Sequence, residues 1–104
     1  MICPDRLKLI KSVMHHARLY DGVGGIIPYQ DENRADIIDV LALRNNDKTA
    51  TLYAVACNCD PELASKEGAS ERLKSQKRFL ENNCFDVERI NMVYVTNDHA
   101  YRIR

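Results

Sequence analysis

Two aspartates, Asp36 and Asp39, head the run "DIIDVLALR", which is otherwise almost wholly apolar. Charged groups in such a run need partners if they are buried. Residues three apart on a strand point to opposite faces, so the two carboxylates form one site only if a bulge intervenes. Without a bulge, Asp36 lies at the exposed start of the strand, and Asp39 pairs with an arginine or caps a helix. A second constellation is Cys57-Asn58-Cys59, with Asp60, Cys84 and His99 as possible further ligands. Structural zinc sites need a second paired-ligand knuckle, and none follows. Cys57 in the core, Cys59 in a loop and Cys84 packed after a helix is the simpler expectation, over a zinc or redox site. A third pattern is Lys8, Lys11, His15 and Arg18, repeating at helical spacing. Such a stripe is either a solvated face or a contact for phosphates or an acidic partner. His15 and His16 are adjacent and do not share a helix face, which argues against a joint metal site.

The elements that position these residues follow from periodicity. Pro4 to Tyr20 reads as a helix: Pro4 suits its first turn, and Leu7, Ile10, Val13, Met14, Ala17 and Tyr20 form one apolar stripe. Asp21-Gly22 and Gly24-Gly25 read as the turn that ends it. Ile26 to Gln30 is a short strand whose Pro28 demands an edge position. Asp36–Arg44 and Thr49–Cys57 form a hairpin around Asn45-Asn46-Asp47-Lys48. The second of these strands is apolar on both faces and belongs in mid-sheet. Asp60-Pro61-Glu62 resembles a helix start, Gly68 a break, and Ser70 the cap of a second main helix running to about Asn83. Arg89–Thr96 alternates as a strand should, and His99–Arg104 is a candidate edge strand. The crossover from Thr49 to Thr96 is expected to be right-handed, with its two strands parallel. The fold class is therefore α/β, a mixed sheet of four or five strands flanked by helices.

This order, with "RADIIDVLAL" as an Asp-bearing strand and "SQKRFLENNCFDVERINMVYVT" as a following helix-strand unit, resembles the restriction-endonuclease-like (PD-(D/E)xK) nuclease fold. The resemblance covers roughly residues 36–96, with Gln76, Phe79 and Leu80 at familiar places. It implies Asp36 or Asp39 as a metal ligand and a Glu-x-Lys at the end of the next strand. There this chain has Ala56-Cys57-Asn58. Phosphodiester hydrolysis in this family uses two carboxylates to hold Mg²⁺, a hard ion that prefers oxygen ligands, and a lysine to support the attacking water. Alanine supplies no ligand and Asn58 no charge. Glu32, Glu62 or Glu71 would have to supply a displaced carboxylate, and Lys74 or Lys77 a displaced cation. The expectation is a nuclease-like domain that does not cut, with no cofactor beyond Mg²⁺ should activity survive.

The 104 residues suit a single domain, 1–104, and 15 basic side chains balance 15 acidic ones. A protein that binds nucleic acid through its overall field would be basic, so any such binding must come from local clusters. Lys8, Lys11, His15 and Arg18, joined by Lys74, Lys77 and Arg78, are the candidates. No apolar run approaches the ~20 residues that span a bilayer. The N-terminal stretch lacks a signal core, so a cytoplasmic address with reduced cysteines is expected. The roles in contention are a nucleic-acid-associated module, a protein-binding regulator or inhibitor of phage or plasmid type, and an active metal-dependent nuclease. A homodimer paired through the last strand is a further expectation.

Overall fold

The computed structural model describes residues 4–30, 35–56, 65–83, 86–97 and 99–103. Helix α1 spans Pro4–His16 and tightens into a 3₁₀ turn over Ala17–Leu19. Then come strands β1 (Gly22–Gln30), β2 (Ala35–Arg44) and β3 (Thr49–Val55), helix α2 (Lys66–Asn83), and strands β4 (Arg89–Val95) and β5 (Ala100–Ile103). They form one five-stranded sheet in the order β1-β2-β3-β4-β5, in which only the β3–β4 pairing is parallel. The α/β class, the hairpin, the parallel crossover and the central place of β3 agree with the periodicity. Pro28 does lie on an edge strand.

The two helices pack on opposite faces. Alternate residues of β3 divide between two cores: Ala50, Leu52 and Ala54 meet Ala69, Leu73 and Leu80 of α2, while Tyr53 and Val55 meet Ile10 and Val13 of α1. This is the period-2 alternation of a strand buried on both sides.

Three local expectations are corrected. The glycine-rich segment is not a turn but the first half of β1. Gly25 serves close approach: a Cβ there would lie 2.5 Å from Met14 Sδ, so a larger residue would have to push the Met14 side chain of α1 aside. Ser70 is not a cap, and Gly68 does not break the helix. The cap is Ser65, whose Oγ accepts a bond from Gly68 N–H at 3.0 Å while its carbonyl accepts Ala69 N–H at 3.1 Å. A capping hydroxyl reaching the third helical N–H offsets the cost of an early glycine. The 3₁₀ turn, not α-helix, carries the chain from His16 to Leu19. The expected helix start at Asp60-Pro61-Glu62 and all four cysteines lie outside the described residues.

Candidate functional site

The alternation of β1 and β2 reverses at one place. Ile27 and Tyr29 face α2 but Val23 faces α1; Ile38 faces α2 but Val40 faces α1. Residues of equal parity on opposite faces require an irregular residue between them. Those residues are Ile26 and Asp39, the one pair missing between Gly25↔Val40 and Ile27↔Ile38. Ile26 has φ of 54°, a conformation that strains a β-branched side chain.

At the same place the sheet opens. Strand β2 pairs with β3 only from Val40 to Arg44, although β3 continues along β4 to Val55. Side chains fill the resulting wedge. Val55 N–H, deprived of a strand partner in β2, donates to Asp39 Oδ2 at 2.8 Å. The Ile37 carbonyl stands opposite Pro28, which has no N–H to give. It accepts instead from Arg72 Nη2 at 3.0 Å and Gln76 Nε2 at 3.2 Å. Arg72 and Gln76, one turn apart on α2, are both buried.

The reversal brings the two aspartates to one cation. Arg72 grips Asp36 with two bonds, Nε to Oδ2 at 2.9 Å and Nη2 to Oδ1 at 3.0 Å. Its Nη1 faces Asp39 Oδ2 at 4.0 Å. From the other face, Arg6 of α1 donates through Nη2 to Asp39 Oδ1. Asp39, fully buried, thus sits in the wedge between a guanidinium from each helix. Burial works against the Arg72 charge, but the bonds to Asp36 and the fields of Asp39 and Asp36 more than offset it and raise its pKa above the ordinary arginine value. Arg6 Nε, Arg72 Nη1, Gln76 Oε1 and Tyr29 Oη are buried without a hydrogen-bond partner among the described residues.

Chemically this is a clasp. Three of the carboxylate oxygens that a hard cation would need already accept from guanidiniums, and the fourth, Asp39 Oδ2, accepts from the Val55 N–H. Among the described residues no three His, Cys, Asp or Glu side chains lie together as a metal group. Ala56, at the end of β3, gives its N–H to the Val95 carbonyl at 2.8 Å. Cys57 and Asn58, the rest of the expected Glu-x-Lys position, lie outside the described residues, as do Glu32 and Glu62. Glu71 and Lys74 are exposed on α2.

The basic stripes do not combine. Lys8, Lys11, His15 and Arg18 are exposed on α1 and its 3₁₀ extension, where Arg18 Nη1 bonds the His15 carbonyl at 3.1 Å. Lys74 and Arg78 are exposed and Lys77 half-buried on α2, across the sheet. Sequence reasoning missed the part played by Arg6, Arg72 and Gln76. The available signal was the spacing of Arg72 and Gln76 within the Ala69–Leu73–Leu80 stripe, which places a cation in the core opposite the carboxylates of β2. No helix among the described residues is long and apolar enough to cross a membrane. Comparison with known proteins finds no matching family model, no matching curated protein and no matching solved structure.

Proposed function

We propose that the chain is a restriction-endonuclease-like domain that does not cut, and that it acts as a nucleic-acid-associated module. The observation that carries this reading is the state of Asp36 and Asp39. At the strand position where such a domain would present carboxylates to Mg²⁺, both are held by arginines from the flanking helices. A metal ion would have to displace a buried, bidentate guanidinium, leaving a charge without a partner at a cost of ~3–5 kcal/mol. The succession of helix, strands, helix and strand, with a β2–β3 hairpin and a parallel β3–β4 crossover, supports the architecture.

The test pairs cleavage with binding. The protein is incubated with supercoiled, single-stranded and branched DNA in Mg²⁺ and in Mn²⁺, and its affinity for labelled DNA and RNA is measured against salt. The expected result is no cleavage, with binding that weakens steeply as salt rises. Cleavage that Asp36→Asn or Asp39→Asn abolishes would establish a nuclease instead. Absence of salt-sensitive binding near ~50 mM salt would remove the nucleic-acid role.

A second reading, a protein-binding regulator, draws on the zero net charge and on β5, whose outer edge has no strand beside it among the described residues. Such an edge pairs with a partner strand or with its own two-fold mate. Light scattering at high protein concentration separates a dimer from the 11.9 kDa monomer.

A further inference from the structure

Helix α1 covers only part of its face of the sheet, contacting β1, β2 and β3. Among the described residues neither helix packs over the rest of that face beyond Val95 of β4, although Ala42, Thr49 and Thr51 on it are buried. Three cross-strand rows lie on it. Arg44, Thr49 and Arg89 form the first, Ala42, Thr51 and Asn91 the second, and Tyr53, Val93 and Arg102 the third. The face thus presents three arginines, all exposed. Arg44 lies over the Tyr20 ring at 4.8 Å and makes a loose, exposed ion pair with Asp47 at 3.8 Å. Among the described residues neither Arg89 nor Arg102 makes an ion pair; Arg102 Nη2 instead bonds Asn91 Oδ1 at 2.8 Å. Between Tyr20, Thr51, Tyr53, Asn91 and Arg102 lies an open concavity of about 340 Å³. Thr51 lines it, is 3% exposed, and its hydroxyl has no hydrogen-bond partner among the described residues.

We propose that this uncovered strip is the surface that holds the phosphate backbone of a single-stranded nucleic acid, an inference that rests on the nucleic-acid reading above. Charge complementarity selects the ligand. The chain as a whole is neutral, so a set of arginines of which only Arg44 has an ion pair among the described residues is where an anion binds. At ~4.8 Å between strands and ~3.3 Å per residue, the Cα atoms of Arg44 and Arg89 lie ~10 Å apart and those of Arg89 and Arg102 ~14 Å apart. Charges spread this way suit a chain of phosphates better than one compact anion. Helix α1 forms one wall, and the strip beside it is about two strand spacings, ~10 Å, wide. That width admits one backbone rather than a duplex. Asn91 adds a neutral hydrogen-bonding group beside the arginines, as a groove that tracks a sugar-phosphate backbone requires. An acidic peptide would anchor on Tyr20, Tyr53, Val93 and Ala100, but the same two rings are stacking platforms for bases, and the spread of the arginines along the strip decides for the nucleic acid. A second copy of the same face is disfavoured because arginines would meet arginines.

The experiment is fluorescence anisotropy of labelled oligo-dT and oligo-rU of ~15 nucleotides at ~50 mM salt, with the full chain. Arg89→Ala combined with Arg102→Ala should weaken binding by at least tenfold and flatten the salt dependence by ~0.7 in log K for each phosphate no longer neutralised. The charge-conserving pair Arg89→Lys and Arg102→Lys should recover most of the salt dependence. Lys77→Ala with Arg78→Ala, on the opposite face, should change affinity less than about twofold. If the wild type binds and the α2 pair or the α1 stripe carries the loss, this assignment fails while the nucleic-acid role stands. If polyglutamate of matched charge displaces the oligonucleotide as well as unlabelled oligo-dT does, the surface is a site for acidic protein. If the wild type binds no oligonucleotide, both readings fall.

Discussion

Two regions of this molecule use arginine in opposite ways. In the wedge between β2 and β3, buried Arg72 and half-buried Arg6 are held against Asp36 and Asp39, and their charge is consumed internally. On the uncovered strip beside α1, Arg89 and Arg102 stand in solvent without ion pairs among the described residues, and Arg44 has only an exposed one. The difference is burial. An ion pair in the wedge cannot be broken without stranding a charge in low dielectric, so it works as a structural part. An exposed arginine loses little when its surroundings change and keeps its field available to an incoming anion.

The largest effect should come from breaking the wedge. Arg72→Ala removes both bonds to Asp36 and one to the Ile37 carbonyl, and should cost ~3–5 kcal/mol. Urea denaturation reads this as a lower midpoint at unchanged m. Arg89→Ala should stay within ~0.5 kcal/mol of wild type in the same measurement. Equal costs for the two variants would erase the contrast between the regions.

Gly25→Ala tests the backbone that carries the wedge. Its new Cβ would meet Met14 Sδ at 2.5 Å and the Asp39 carbonyl at 3.4 Å. Because the Met14 tip is flexible and can swing aside, the cost should sit at the low end of overpacking, ~1 kcal/mol. Pairing it with Met14→Ala should recover part of the loss, and a double-mutant cycle that shows no coupling would mean that α1 does not press on β1 there.

The strip has its own signature in pH. Burial, and then the proximity and hydrogen bond of Tyr20, push the Tyr53 hydroxyl from its ordinary 10.0 up to about 12, while Arg44 pulls the other way. A group whose folded pKa is raised contributes stability that is whole below its unfolded pKa and is lost as pH rises through the folded one. Stability should therefore fall between pH 10 and about 12. Tyrosinate absorbance in the native protein should show a late titration that Tyr53→Phe removes. A Tyr53 that titrates with the free phenol would contradict the half-buried Tyr20–Tyr53 pair at the edge of the strip.

The smallest effect sharpens the comparison from the other edge. Ile26 is exposed, at 38%, and strained at φ 54°. Ile26→Gly relieves that strain at the cost of unfolded-chain entropy and should stabilise by ~0.5–1 kcal/mol. Thermal unfolding that shows a loss instead would mean that the reversal opposite Asp39 depends on the isoleucine side chain.

What the sequence determined by itself is what repeats along the chain. The 3.6-residue stripe of α1, the alternation of β4, the turn at Asn45–Lys48 and the two-faced apolar run of β3 are local patterns, and each one names an element and its burial. The order of elements then constrained the crossover to a parallel pairing in mid-sheet. The carboxylates Asp36 and Asp39 also stand out in the sequence, as the charged residues of the apolar run "DIIDVLALR". Only the tertiary structure decided what the aspartates do. Their spacing by three implies opposite faces on a regular strand, and it is the paired irregularity at Ile26 and Asp39, stabilised across two strands, that brings both to Arg72. The glycines of β1 read as a turn because glycine's freedom is visible in sequence, whereas the Met14 side chain pressing on Gly25 is a contact with another element. Whether the two basic stripes gather was equally beyond the sequence. Helical spacing places residues around one helix axis, but the side of the sheet on which each helix packs depends on how β3 divides its faces between two cores.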